Sequence, residues 1–210
     1  MLLYLVRHGE TDWNRQHRIQ GSTDIPLNET GREQARRAGE LLARRGWNAV
    51  VASPLSRAFE TASIIAGVVG LPTPTTDPRL VERHYGEAEG LDFDDMQRRF
   101  PGDTPVPGRE KRSAVATRAL DALMDIATAH PDEAVIVVAH GGVIRAVLRR
   151  IDPEGDHGMI TNGPIHSFRY EDGALSLTAF DDPIEEESIE GEDVRDQNAV
   201  EARRADKRPR

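Results

Sequence analysis

Cysteine is absent from the 210-residue chain, which rules out a disulfide framework, a thiolate metal site and a cysteine nucleophile together. Basic charge is also scarce: 27 Lys and Arg stand against 36 Asp and Glu, a net charge of −9. A general nucleic-acid or anionic-membrane surface needs the opposite balance, so any anionic ligand must be met by a local basic pocket. No apolar run approaches the roughly 20 residues of a membrane span, and the N-terminus lacks the basic and apolar regions of a secretory leader. The expectation is a cytoplasmic protein with neither nucleic acid nor membrane as partner. The length suits one domain.

What is present is concentrated at the start. Leu2 to Val6 is a nearly continuous apolar run, the pattern of a strand buried on both faces of a parallel sheet. It passes without a spacer into Arg7-His8-Gly9-Glu10-Thr11, so these polar groups emerge at the strand's carboxyl end, where open α/β sheets bind ligands. Residues 15–27 read as a loop, and Asn28 offers an N-cap to a helix from Glu29 to Arg45. Ala49 to Ala52 is a second short strand. Ser53-Pro54 then predicts a helix starting at Pro54, with Ser53 as its cap and Arg57 in its first turn. Residues 71–81 hold at most an edge strand, with Glu82 just beyond.

Residues 83–108, rich in Gly and Pro, read as an excursion over the site, with one helix at Asp92 to Arg99. A helix from Arg109 to Ala129 leads to the strand Ala134 to Ala139, which ends at His140-Gly141-Gly142 before a helix from Val143 to Arg150. Ile165 to Tyr170 and Leu175 to Phe180 flank an Asp-Gly turn and predict a hairpin. Residues 1–182 thus form one α/β unit, a mainly parallel sheet with helices on both faces. Residues 183–210 are dominated by charge of both signs and read as a disordered tail.

His8 and His140 each follow a buried strand and precede Gly. If those strands are neighbours, the two imidazoles meet at the sheet edge with Arg7 and Arg57, an anion site whose guanidinium forks suit phosphate oxygens. Gly9, Gly141 and Gly142 allow backbone to come close to a ligand. Cationic neighbours keep His8 neutral and nucleophilic, and the same cations stabilise a transferring phosphoryl group. A proton donor for the leaving group is still needed. Glu10, Glu82, Glu87 and Glu89 are all candidates, and periodicity does not choose among them. A metal at His8 and His140 fits poorly, because two arginines would repel it. His17, His130, His157 and His166 read as ordinary surface or loop histidines.

Arg7-His8-Gly9-Glu10-Thr11 with Asn14, Arg18-x-Gln20-Gly21-x-x-Asp24-x-Pro26-Leu27, Ser53-Pro54-Leu55-x-Arg57-Ala58, Leu80-x-Glu82 and Val138-Ala139-His140-Gly141-Gly142 together resemble the histidine phosphatase superfamily, phosphoglycerate mutase-like, over about residues 2–180. The resemblance implies a three-layer α/β/α sandwich. It implies a metal-independent phosphomonoester hydrolase in which His8 becomes phosphohistidine and Glu82 is general acid and then base. Arg7, Asn14, Arg57, His140 and Gly141 would hold the phosphate, and Gln20 and Gly21 the substrate. No cofactor is implied, and the partner is a small phosphorylated metabolite; the oligomeric state stays open. Two departures bear on substrate: Ala88 replaces a Trp common in relatives, removing a wall, and Arg109 and Lys111 add charge near the rim, read first as solvated helix-start residues, with selection of a second anionic group on the substrate as the alternative. His140-Gly141-Gly142 and the short excursion favour a phosphatase over a cofactor-dependent phosphoglycerate mutase. A non-catalytic phospholigand-binding module is the remaining alternative, which needs the arginines but neither His8 nor Glu82.

Overall fold

The computed structural model describes residues 1–155, 157, 160, 162 and 165–180; the charged segment 183–210 lies outside them. Six strands form one sheet in the order β3-β2-β4-β1-β5-β6. They are β1 (Leu2–Arg7), β2 (Ala49–Ala52), β3 (Thr75–Thr76), β4 (Ala134–Ala139), β5 (Ile165–Glu171) and β6 (Ala174–Ala179). The first four run parallel, β5 is antiparallel to β1, and β6 is antiparallel to β5. Because strand side chains alternate between faces, β1 feeds two cores. Leu3 and Leu5 pack with Val135, Val137 and the helices α5 (Arg112–Ala129) and α6 (Gly141–Ile151), while Tyr4 and Val6 pack with Ile136, Val138 and the helices α2 (Glu29–Leu42) and α3 (Ser56–Val69). Each such fully buried aliphatic contributes about 1.5–3 kcal/mol. The result is the three-layer α/β/α sandwich.

Several boundaries move for identifiable reasons. A four-residue helix α1 (Asp12–Arg15), with a capping box between Thr11 and Asn14, precedes the expected loop and takes its first residue. Helix α2 is capped by Asn28, whose side chain accepts from Gly31 N, and it ends at Leu42 rather than Arg45; Trp47 Nε1 donates to the Leu42 carbonyl at 2.6 Å. Ser53 does not cap α3. That helix begins at Ser56, and its first donor is met by Asp24, whose Oδ1 accepts from Ser56 N at 2.8 Å. Helix α5 starts at Arg112 because Arg109 bridges to Tyr85 and Glu110 N donates to the His84 carbonyl. Helix α6 starts two residues early, directly after His140. In the hairpin, Asp172 (φ 50°) and Gly173 (φ 77°) take the left-handed pair of a type I′ turn.

The excursion has its own small core of Ile19, Tyr85, Ala88, Met96, Phe100 and Val106, around helix α4 (Phe93–Arg99). Backbone bonds from Ile19 N to Leu91 O (2.9 Å) and Gly90 N to Ile19 O (2.7 Å) join it to the loop after α1. Ala88 is wholly buried in that core, so it does not open a wall of the site. It makes room for Phe100 and Met96 instead.

Gly9 and Gly31 let two backbones touch: a Cβ on Gly9 would lie 2.3 Å from Gly31 O, and one on Gly31 would lie 2.2 Å from Glu10 O. The need at Gly9 is therefore packing against α2 rather than ligand approach. Gly9→Ala should destabilise the protein by about 1–3 kcal/mol or more in a urea midpoint, whereas Gly46→Ala, which meets nothing within 4 Å, should change it by less than about 1 kcal/mol.

Candidate active site

The site is assembled by three parallel strand ends. The ladder register pairs Arg7 with Ala139, so the next residues out, His8 and His140, face each other with ring centroids 5.1 Å apart and planes at 61°. Strand β4 lies between β1 and β2, so the strands that lead to His8 and to Ser53 are not neighbours. Arg57 spans the gap: its Nε donates to His8 Nε2 at 3.2 Å, Nη1 to Thr23 O at 2.9 Å and Nη2 to Gly21 O at 2.8 Å. All of Arg57 is buried.

The tautomers follow from these bonds. His8 Nδ1 lies 2.7 Å from Gly9 O, and a carbonyl only accepts, so Nδ1 carries the proton and Nε2 presents its lone pair. His140 Nε2 lies 2.8 Å from Ser53 Oγ, which itself accepts from Leu55 N. With Ser53 donating to Nε2, His140 carries its proton on Nδ1, a buried atom without a partner among the described residues. Asn14 Nδ2 is a second buried donor of that kind; its Oδ1 is taken by Thr11. Arg7 is buried and donates from Nη1 to Ile160 O at 2.6 Å. Gln20 is buried against Thr11, its Oε1 accepting at 2.9 Å. Gly21 offers its carbonyl to Arg57, and Gly141 opens α6 beside His140.

The four glutamates separate cleanly. Glu10 accepts from Asn28 Nδ2 at the start of α2, and Glu87 pairs with Arg99 at the surface. Glu89 is a clamp, accepting from the backbone N of Ser22, Thr23 and Tyr85 and from the Ser22 and Thr23 hydroxyls. Only the buried Glu82 reaches the histidine pair's neighbourhood: its Oε2 accepts from Gly142 N at 2.9 Å and its Oε1 from Arg83 N at 2.7 Å. A Cβ on Gly142 would lie 2.4 Å from Glu82 Oε1, so the glycine keeps space for the carboxyl group. Two site neighbours carry no sequence signal. Ile160 supplies the carbonyl under Arg7, and Asn162 Nδ2 donates to His8 O at 2.8 Å.

Burial shifts the titrating groups in opposite directions. It pushes His8 well below the usual imidazole range, with Arg57 and then Arg7 adding to the effect. Burial, Arg57 and His8 do the same to His140. Desolvation thus outweighs the cations that the sequence reading credited. Arg57 is lowered to about 10 by burial, held up by Glu82 and Asp24, and stays charged at neutral pH. Glu82 is raised by burial, against the pull of the two backbone donors and both arginines. Two neutral imidazoles, a protonatable buried carboxyl group, two guanidiniums and two orphan donors make a site for a phosphoryl group.

A family model described as histidine phosphatase superfamily (branch 1) matches residues 3–183. The chain belongs to that superfamily. It is 41% identical over 169 residues to "Uncharacterized phosphatase PhoE" of Bacillus subtilis, covering 79% of this chain and 86% of the relative. It is 36% identical to "Metal-independent phosphoserine phosphatase" of Arabidopsis thaliana, covering 86% and 81%. A solved mycobacterial glucosyl-3-phosphoglycerate phosphatase superposes with TM-score 0.76 at 30% identity, covering 85% and 97%. Phosphoglycerate mutases match as well, one from Gloeobacter violaceus at 34% identity over 72% of this chain and 75% of its own length. The activity of this histidine phosphatase is phosphomonoester hydrolysis by way of phosphohistidine, without a metal. No cluster among the described residues has the make-up of a metal site, and no described helix is long and apolar enough to cross a membrane.

One further histidine departs from expectation. His166 is buried against the ring of Phe180, and burial together with His157 lowers it to about 4; His157 is itself bonded to Asp152. For His8, His140 and His166 the folded-state pKa lies below the ordinary 6.5. The unfolded chain therefore takes up protons first on acidification, and stability falls as pH drops below about 6.5. The raised Glu82 opposes this, since its fold favours the protonated form and loses stability as pH rises above about 4.5. Three groups against one predict a net loss between pH 7 and 5, each histidine contributing up to about 1.4 kcal/mol per pH unit. Urea unfolding at both pH values checks this, and His166→Phe should make the slope shallower.

Proposed function

We propose that His8 is the nucleophile and Glu82 the general acid and base, with Arg7, Asn14, Arg57, His140 and the backbone at Gly141 holding the phosphoryl group of a small phosphorylated metabolite. Gln20 and Gly21 act by keeping the loop and Arg57 in register. The observation that carries this reading is the bond from His8 Nδ1 to Gly9 O (2.7 Å), which aims the Nε2 lone pair at Arg57.

In the first step Nε2 forms a bond to phosphorus while the ester P–O bond breaks. Arg57 Nε passes from His8 to a phosphoryl oxygen, and Arg7, Asn14 Nδ2 and His140 Nδ1 take the developing negative charge. The burial that raises Glu82 favours the protonated form that the leaving oxygen needs. Glu82, now a carboxylate, then takes a proton from water. That water displaces His8 from phosphorus, releasing phosphate and the neutral imidazole.

His8→Ala should abolish phosphate release. Glu82→Gln should slow an alkyl phosphate by about 10²–10⁴-fold and p-nitrophenyl phosphate less, because nitrophenolate leaves without a proton. With the second step starved of its base, nitrophenol should then appear as a burst equal to the enzyme concentration. Stopped-flow absorbance reads it, and equal losses of kcat/KM, which reports the first step alone, on both esters would remove Glu82 from the proposed role. The pH profile of kcat/KM should have its acidic limb well below 6.5, set by the lowered His8, and a basic limb set by the raised Glu82.

A mutase-type phosphotransfer is the second reading, favoured by the mutases among the relatives. Interconversion of 2- and 3-phosphoglycerate, dependent on a bisphosphorylated primer and with little phosphate released, would establish it in place of hydrolysis.

A further inference from the structure

Glu82 sits on backbone outside the sheet. It follows a 3₁₀ turn at Pro78–Leu80, and residues 81–84 belong to none of the six strands, so the peptide groups here need partners other than a ladder. Leu80 packs with Val115, Ala119 and Leu123 in one core. Such contacts set the depth of the turn, but they are non-directional and do not fix which way the peptides beside Glu82 face.

Arg118, half-buried in the second turn of α5, supplies that direction. Its Nη1 donates to Arg79 O at 2.5 Å and to Val81 O at 2.6 Å, and its Nη2 donates to Glu82 O at 3.3 Å. Nε and Nη2 also form a fork on Glu110, at 2.9 Å to Oε1 and 3.0 Å to Oε2. All five N–H donors of the guanidinium are engaged, three of them on carbonyls of the segment that carries Glu82. Glu110 grips the next residues of that segment. Its N donates to His84 O at 2.8 Å, its Oε2 accepts from His84 N at 3.2 Å, and its carbonyl accepts from Arg83 Nε at 2.9 Å. Burial raises the Glu110 carboxyl group, but the bonds from Arg118 and His84 N outweigh it and hold the group below the usual carboxylate range. Its negative charge cancels that of Arg118, so a guanidinium bonds the Glu82 carbonyl without adding net charge beside an acid that works in its protonated form. Among residues 109–111 it is Glu110 that makes this link, although the sequence drew attention to the basic pair around it.

We propose that Arg118 and Glu110 are positioning residues for the general acid. Together they fix the backbone on both sides of Glu82, so that its carboxyl group stays on Gly142 N and meets the leaving oxygen. This rests on the role given above to Glu82, through which both residues act.

The test compares benzyl phosphate, whose alkoxide needs a proton to leave, with p-nitrophenyl phosphate, whose phenolate does not. Arg118→Gln removes most of the donors, and Arg118→Lys keeps the charge without the fork. Each should lower kcat/KM for benzyl phosphate by about 10- to 100-fold, the cost of misplacing a reacting group by about 1 Å, and for p-nitrophenyl phosphate by less than about 3-fold. In a Glu82→Gln background the same substitutions should cost less than about 2-fold further on benzyl phosphate, because residues that act as one unit are not additive. Urea unfolding midpoints identify a variant that fails to fold. Glu110→Gln, which puts an amide NH2 where a carboxylate oxygen accepts, then carries the same comparison, with a loss of about 10-fold confined to benzyl phosphate. Equal losses on the two esters, no loss on either, or full additivity with Glu82→Gln overturns the positioning role and leaves hydrolysis through Glu82 in place. A Glu82→Gln enzyme whose kcat/KM falls equally on the two esters overturns the acid role itself, and the positioning role with it.

Discussion

The contact between Arg57 and His8 is the constraint on which the rest of the molecule depends. A guanidinium with no exposed surface sits 3.2 Å from a neutral imidazole nitrogen, which is tolerable only because every direction of its fork is used. Two backbone carbonyls, of Gly21 and Thr23, take its other donors, and Glu82 and Asp24 balance its charge. The loop after α1 is thus part of the charge compensation of the site. Remove its carbonyls and a buried cation is left short of acceptors.

That loop is in turn held from outside. Glu89 gathers the backbone N–H groups of Ser22 and Thr23 together with that of Tyr85, and these bonds outweigh the cost of its partial burial and lower its pKa. Asp24 fastens the far end of the loop to the start of α3, one residue before Arg57. The excursion, the loop and the helix that carries the guanidinium therefore form one connected layer over the sheet edge. These two carboxylates accept from the loop and from the start of α3, whereas Glu82 accepts from Gly142 N, two residues beyond His140.

Opposite pKa shifts in one buried space give the site its division of labour. Desolvation drives both histidines toward their neutral forms and Glu82 toward its protonated form. A lone pair on His8 and a proton on Glu82 are therefore both favoured by the same burial, as a displacement with a poor leaving group demands.

Strands β1 and β4, the Asn28 cap, the Asp172-Gly173 hairpin and the two histidines at strand ends were legible in the sequence, because apolar alternation, caps and turn residues act within a few positions of themselves. The motif resemblance likewise named His8, Glu82, Arg7, Asn14, Arg57 and His140. Tertiary structure alone gave Ser53 to His140 rather than to α3 and buried Ala88 in a small core. It also brought Ile160 and Asn162 under the site and gathered arginines from α5, α6 and the segment after Glu82 around one cavity. Each of these depends on which atoms meet across tens of residues, and on how much water their meeting excludes. Local pattern carries neither quantity.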